Sequence, residues 1–254
     1  MKKSINLYCN TILTTKEKIQ AIKQAGYDEF FTGFNTHNED LNHIEQIKFA
    51  KSIDLNCTMV HCKYDNSILH DFWDKGKSGH KIYLGFKKQI KSCKNLTKNF
   101  AIHLNSYHPF QGSIIGLKRI TKLLKTCEKL NINLCVENLN SEDCIRFIFA
   151  NLSHPKLKLC YDIGHKNACT PSFDIAKEYG PLIEVLHIHQ NNGVIDEHKP
   201  LTLNSKVYKM LKNDLNYLKD NIVLSCELKF LNDNFDQRLK SNLNVLNTLQ
   251  KNEP

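Results

Sequence analysis

The sequence contains no apolar run of the roughly 18 residues that a membrane-spanning helix requires. Its start, Met1-Lys2-Lys3-Ser4-Ile5-Asn6-Leu7, has neither a long apolar stretch nor a small-residue cleavage site, so no secretory leader is expected there and a cytoplasmic location is. No Cys-x-x-Cys pair occurs among its ten cysteines. Cys9, Cys57, Cys62, Cys135, Cys160 and Cys226 lie instead in short apolar runs, where unpaired thiols act as small buried hydrophobes rather than as a disulfide framework. Arginine is scarce: Arg119, Arg146 and Arg238 are the only three, so the net charge of +9 is almost wholly lysine. Those lysines are scattered over helical stretches and read as solvated faces, not as a nucleic-acid footprint. No linker or low-complexity tract divides the chain, and a single domain spanning 1–254 is expected.

What is present is an alternation. Short β-rich apolar runs recur, each followed by a longer segment with helical spacing. The strand candidates are Ile5–Cys9, Glu29–Phe34, Asn56–Cys62, Phe100–Leu104, Leu134–Asn138, Leu157–Asp162, Glu184–His189 and Ile222–Leu228. Helices are expected over about 15–25, 41–53, 81–96, 114–130, 142–152, 173–179, 206–218 and 235–249. Thr14 and Glu17 have capping-box spacing, and Gly26 marks a stop. Strands alternating with helices imply a parallel sheet, and near-continuous apolar strands such as Ile222-Val223-Leu224 imply burial on both faces. Eight such units in 254 residues have the size of an α/β protein of the (β/α)8 barrel type. The rival, a doubly wound open sheet, lacks its Gly-rich phosphate loop: Asn10-Thr11-Ile12-Leu13 stands in that place.

Ionisable residues close or interrupt the apolar strands in a regular way. His61 ends the third, His103 the fourth, Glu137 the fifth, Asp162 the sixth, His187 the seventh and Glu227 the eighth. Burying one such group is costly. Six at the same end of six strands point to the C-terminal mouth of a barrel, where barrel active sites are built. Carboxylates with imidazoles, and no thiolate in register, suit Zn2+, Mn2+, Co2+ or Mg2+. His165 follows Asp162 by three residues, and Asp196 and His198 fall in the loop after strand seven. His37, His43, His70, His80, His108 and His154 read as ordinary surface or core residues. Lys63, Lys166, Lys199 and Lys229 each follow a candidate site residue; they fit either point charges for a substrate phosphate or plain loop lysines. Trp73, in the long connection after strand three, fits either a cover over a substrate or packing beneath that loop.

The segments Thr58-Met59-Val60-His61, Ala101-Ile102-His103, Val136-Glu137-Asn138, Tyr161-Asp162-Ile163-Gly164-His165, Leu186-His187-Ile188-His189, Asp196-Glu197-His198 and Cys226-Glu227-Leu228, taken in order, resemble the xylose-isomerase-like barrel superfamily. That superfamily includes sugar phosphate isomerases and epimerases, ketose 3-epimerases and the endonuclease IV type of abasic-site nuclease. Resemblance to the epimerases implies one divalent metal on Glu137, Asp162, His187 and Glu227. It also implies Glu137 and Glu227 as the catalytic pair moving a proton through a metal-stabilised enediolate, with His165, and His61 and His103 nearby, binding substrate. The departure is the arginine those epimerases carry after the strand-seven histidine; none occurs here between Arg146 and Arg238. Resemblance to the nuclease implies a multinuclear zinc phosphodiesterase, with His61, His103, His165, Asp196 and His198 joining the four as ligands. Against it, Gln190 stands where that family has an aspartate, and loops bearing arginine for a duplex are missing.

The expectation is therefore a metal-dependent sugar or sugar-phosphate isomerase or epimerase, with the phosphodiesterase as alternative. A barrel that binds sugar without catalysis is disfavoured by intact Glu137 and Glu227. The expected partner is a small sugar or sugar phosphate, with nucleic acid only under the alternative. No membrane partner is expected, and a homo-oligomer is compatible with the sequence.

Overall fold

The computed structural model describes residues 1–9, 12–34, 40–105, 108–230 and 234–249. Asn10, Thr11 and His37, discussed above, lie outside them. The strands are β1 (Lys3–Asn6), β2 (Glu29–Gly33), β3 (Asn56–His61), β4 (Asn99–Ile102), β5 (Asn133–Glu137), β6 (Leu157–Asp162), β7 (Ile183–Ile188) and β8 (Leu224–Cys226). All pair in parallel with their sequence neighbours, and β1 pairs with β8, so the sheet closes into a (β/α)8 barrel.

The helices on its outside are α1 (Thr15–Ala25), α2 (His43–Ser52), α3 (Lys77–Ser92), α4 (Ile114–Leu130), α5 (Asp143–Asn151), α6 (Ile163–Cys169), α7 (Ile175–Tyr179), α8 (Lys206–Asp214) and α9 (Phe235–Asn247). Local chemistry explains their ends. Thr14 and Glu17 close a reciprocal capping box on α1, and Gly26, at φ 96°, ends it in a left-handed conformation that a side chain would resist. The third helix starts at Lys77, four residues before the expected start at residue 81. Expected β1 is shorter, because Leu7–Cys9 turns into a single 3-10 turn. The sequence reading missed α6 altogether. Its seven residues carry Gly164 and no apolar stripe, and it forms because the Asp162 carboxylate accepts the His165 backbone N–H and caps it.

Two apolar layers hold the barrel. The large one fills the space between strands and helices and contains Ile5, Phe30, Val60, Phe100, Ile102, Leu134, Val136, Leu159 and Leu186. The small one lies inside: Phe31, Met59, Ala101, Cys135, Cys160 and Val185, with Tyr8 packed above. Residues two positions further along an inward-facing strand point the same way, so Glu137, Asp162 and His187 stand directly above Cys135, Cys160 and Val185. Irregularities in the β2–β3 and β6–β7 registers adjust the alternation between neighbours. All ten cysteines are free, and only Cys169 is exposed.

Candidate metal centre

Donors at or just past the C-terminal ends of six strands converge, all buried except the half-buried Glu227. His187 Nδ1 lies 3.5 Å from Glu137 Oε1, 3.7 Å from Asp162 Oδ2 and 3.1 Å from Glu227 Oε2. Donors held at about 2.0–2.3 Å from a common ion stand no more than roughly 4.6 Å apart, and these separations satisfy that limit. His61 Nε2 and His103 Nε2 reach the other Glu137 oxygen, Oε2, at 3.1 and 3.2 Å. A further group sits beyond Asp162. Its Oδ1 is 3.2 Å from His189 Nε2, which is also 3.2 Å from Asp196 Oδ1. Asp196 Oδ2 is 2.9 Å from His198 Nε2 and 3.4 Å from His165 Nε2. The donors thus form connected groups, one around Glu137 with His61 and His103, one of Glu137, Asp162, His187 and Glu227, and one around Asp162, Asp196 and their histidines.

The residues around these donors explain how they are held. The Asn138 side chain donates to the Asp162 carbonyl at 2.8 Å and accepts its N–H at 2.7 Å, which extends the sheet one step past β5. Asn6 does the same for Leu228 across the β1–β8 seam, at 2.9 and 2.8 Å, and so fixes the segment that carries Glu227. His165 Nδ1 sits 2.9 Å from the Asn138 carbonyl, and His198 Nδ1 3.0 Å from the Glu227 carbonyl, leaving each Nε2 for the cavity side. Gln190 and Lys199 exchange backbone hydrogen bonds at 2.7 and 2.9 Å, closing the loop that presents Asp196 and His198. Phe31 stacks on the His187 ring, with centroids 5.1 Å apart.

The electrostatics couple buried carboxylates to buried imidazoles. Burial opposes ionisation of Glu137, yet His103 and His187 hold its carboxyl well below the usual carboxylate range. Burial likewise opposes the Asp162 charge, and His165 and His189 overcome it. Burial would lower His187 and His165; Cys160 with the Glu137 and Glu227 carboxylates for the first, and Asp162, Asp196 and Glu137 for the second, raise them well above the ordinary imidazole value. For His103 burial wins, and its value falls. Tyr8 donates to Glu227 Oε1 at 2.7 Å, and burial together with that carboxylate pushes the phenol up. His103 Nε2, Asp162 Oδ2 and both ring nitrogens of His187 and His189 are buried without a well-formed hydrogen bond. Orphaned groups of this kind need a partner. Imidazoles and carboxylates facing one another with unused lone pairs fit a divalent cation, and Glu137, Asp162, His187 and Glu227 are the residues that would hold it.

The structure decides several points the sequence left open. Lys166 does not face the mouth; it is buried against Asp214, 3.1 Å away, behind β6. Lys199 pairs with Glu197 at 2.5 Å. Trp73 packs beneath the loop against Phe110 and Phe147 and donates to the Leu104 carbonyl at 2.7 Å, so it does not cover the cavity. Three residues at the centre had been given no role: Tyr8, His189 and Cys160. The His187-Ile188-His189 spacing was the available signal for His189, since alternate residues share a face. Cys160 corrects the reading that no thiolate is in register. It precedes Asp162 by two on β6, faces inward, and its Sγ lies within 4.8 Å of donor atoms of Glu137 and His187.

A family model for the xylose isomerase-like TIM barrel matches residues 19–249. The chain belongs to that family. A curated relative, an uncharacterized protein of Methanocaldococcus jannaschii, is 24% identical over 201 residues, covering 74% of this chain and 76% of the relative. Among solved structures, D-psicose 3-epimerase from Clostridium cellulolyticum H10 superposes with a TM-score of 0.77 at 14% identity, over 99% of this chain and 100% of that one. An IolI protein described with a bound zinc atom gives 0.76 at 16% identity, over 98% and 99%. A D-tagatose 3-epimerase-like protein gives 0.74 at 17%, over 97% and 96%. At such identities these likenesses establish the shared barrel. Among the described residues, no helix is long and apolar enough to cross a membrane.

Proposed function

We propose that this member of the family is a divalent-metal-dependent isomerase or epimerase acting on a sugar or sugar phosphate. The observation that carries the reading is the group Glu137, Asp162, His187 and Glu227, four buried or nearly buried donors from four strands gathered at the mouth. Solved epimerases described as acting on D-psicose and resembling one acting on D-tagatose share the barrel over its whole length, which supports the sugar class. A bound divalent ion would supply Lewis acidity, polarising a substrate carbonyl and acidifying the neighbouring C–H. In this reading, Glu137 and Glu227 reach that carbon from different strands, so one removes the proton and the other returns it on the opposite face. Tyr8 holds Glu227 through Oε1 and leaves its other oxygen toward His187. His165, His61 and His103 orient the substrate hydroxyls.

A second reading rests on a specific observation. His61, His103, His165, Asp196 and His198 all join donor groups contiguous with the first, and a single-ion epimerase does not require them. Two or more ions clamping a phosphate ester is the chemistry such a set would serve, as in a zinc phosphodiesterase of the endonuclease IV type.

One experiment separates the two. Metal content per chain is measured on the purified protein. Deuterium wash-in from solvent is followed over ketoses and ketose phosphates, beside cleavage of an abasic-site duplex. Uptake that is abolished by Glu137→Gln and by Glu227→Gln, with one ion per chain and no cleavage, supports the epimerase. Efficient cleavage without uptake, with three ions per chain, overturns it in favour of the hydrolase.

A further inference from the structure

The inner barrel layer beneath the donors contains one group that neither reading uses. Cys160 belongs to that layer, with Phe31, Met59, Ala101, Cys135 and Val185. Its Cα pairs with that of Glu137 across β5 and β6, and its strand carries Asp162 two residues further on. Its Sγ, a Glu137 carboxylate oxygen and a His187 ring nitrogen lie within 4.8 Å of one another. Cys160 is fully buried, and so is His187, both of whose ring nitrogens lack a well-formed hydrogen bond. The thiol therefore sits on the floor of the centre, on the side away from the open mouth. It faces one carboxylate and one imidazole that already belong to the four-donor group. Cys135, the other thiol of this layer, joins no donor group among the described residues.

We propose that Cys160 is a direct ligand of the metal centre, a floor donor that selects a thiophilic divalent ion such as Zn2+ or Co2+ over Mg2+ or Mn2+. This rests on the metal-dependent reading above and adds to it the class of ion. Carboxylates and imidazoles alone admit both hard and borderline cations, and a thiolate shifts the preference toward the softer ones. On binding, the S–H bond breaks, the proton leaves to solvent and Sγ bonds the ion; no oxidant or reductant is involved. Coordination deprotonates a thiol outright, so the cost of removing that proton is met only by an ion that binds sulfur strongly. The thiol lies below the four donors, so it would take up none of the mouth side, where a substrate would enter.

The test is a Co2+ titration of the metal-free full chain, read by absorption. The expected result is a sulfur-to-cobalt charge-transfer band in the near ultraviolet beside the visible d–d bands. Cys160→Ser should keep the visible bands and lose the near-ultraviolet one, while Cys135→Ser keeps both. Competition between Zn2+ and Mn2+ should show the wild-type preference for zinc falling roughly tenfold or more in Cys160→Ser. Visible bands with no charge-transfer band in the wild-type protein would overturn the thiol ligand and leave the metal centre standing. So would a charge-transfer band that survives Cys160→Ser. No visible bands at any Co2+ concentration would overturn the metal centre and the thiol ligand together. If Cys160→Ser fails to fold, Cys160→Ala is the second variant: loss of the near-ultraviolet band with the visible bands kept supports the ligand, and survival of that band overturns it.

Discussion

Behind β6 lies a buried ion pair whose disruption can be put in numbers. Lys166, in α6, and Asp214, at the end of α8, meet at 3.1 Å, with side chains only 9% and 7% exposed. The Tyr161 hydroxyl donates to the same carboxylate oxygen at 2.5 Å. Asp214→Asn keeps the shape and removes the charge. Breaking a buried pair by removing one partner costs about 3–5 kcal/mol, because the surviving charge stays desolvated. Among the described residues Lys166 retains one weaker acidic neighbour, Asp174 Oδ1 at 3.8 Å, whose side chain is 51% exposed. A pair that exposed recovers at most about 1 kcal/mol. The expected loss is therefore about 2–4 kcal/mol. Lys166→Met should cost a similar amount, since among the described residues it leaves the carboxylate with only the tyrosine hydroxyl. The double variant Lys166→Met with Asp214→Asn should cost less than the sum of the two by at least about 1.5 kcal/mol, as expected for residues in contact. The assay is urea unfolding of the metal-free protein at neutral pH, with the slope checked for constancy. A single Asp214→Asn variant within about 1 kcal/mol of wild type, or strictly additive losses, would refute the argument.

Further outcomes follow from the centre itself. A Cβ at Gly164 would stand 2.0 Å from His189 Cε1, so Gly164→Ala should cost about 1–3 kcal/mol by overpacking and displace His189 from Asp162 and Asp196; thermal unfolding with a histidine NMR spectrum would show whether the ring stays in place. His61, His165 and His187 are raised in the metal-free fold despite burial, by the backbone, thiol and carboxylate groups around them. Their stabilisation is fully present below about pH 6.5, the ordinary imidazole value, and is lost as pH rises through the raised values. Metal-free stability should accordingly decline on the alkaline side of neutrality. The stabilisation added by Zn2+ should grow over the same range, because each ligand must first lose its proton. Parallel pH series with and without the ion check the two opposite slopes; identical slopes would contradict the assignment. At zinc concentrations about a thousandfold above Kd the ion should add about 4 kcal/mol, seen as a fall in Tm on chelation.

Much of this molecule is written locally. Strands such as Leu157–Asp162 and helices such as Ile114–Leu130 keep the bounds read from the chain, because periods of 2 and 3.6 need only near neighbours to be recognised. His61, His103, Glu137, Asp162, His187 and Glu227 stood out because each interrupts or closes an apolar run, an anomaly visible in one dimension. Where they meet follows from the direction of parallel strands. Helix α6 escaped, since seven residues with Gly164 carry no period and only the Asp162 carboxylate initiates them. The lysines could not be sorted by sequence. Lys166 and Lys199 both follow a candidate site histidine or lie beside one, yet only barrel packing brings Asp214 behind β6 to draw Lys166 inward. Cys160 is the clearest division between the two levels. Its apolar surroundings alone identify a buried hydrophobe. Closure of the ring and the β5–β6 register place Glu137 beside it and His187 within reach, and those are contacts between residues far apart in the chain that no local pattern encodes.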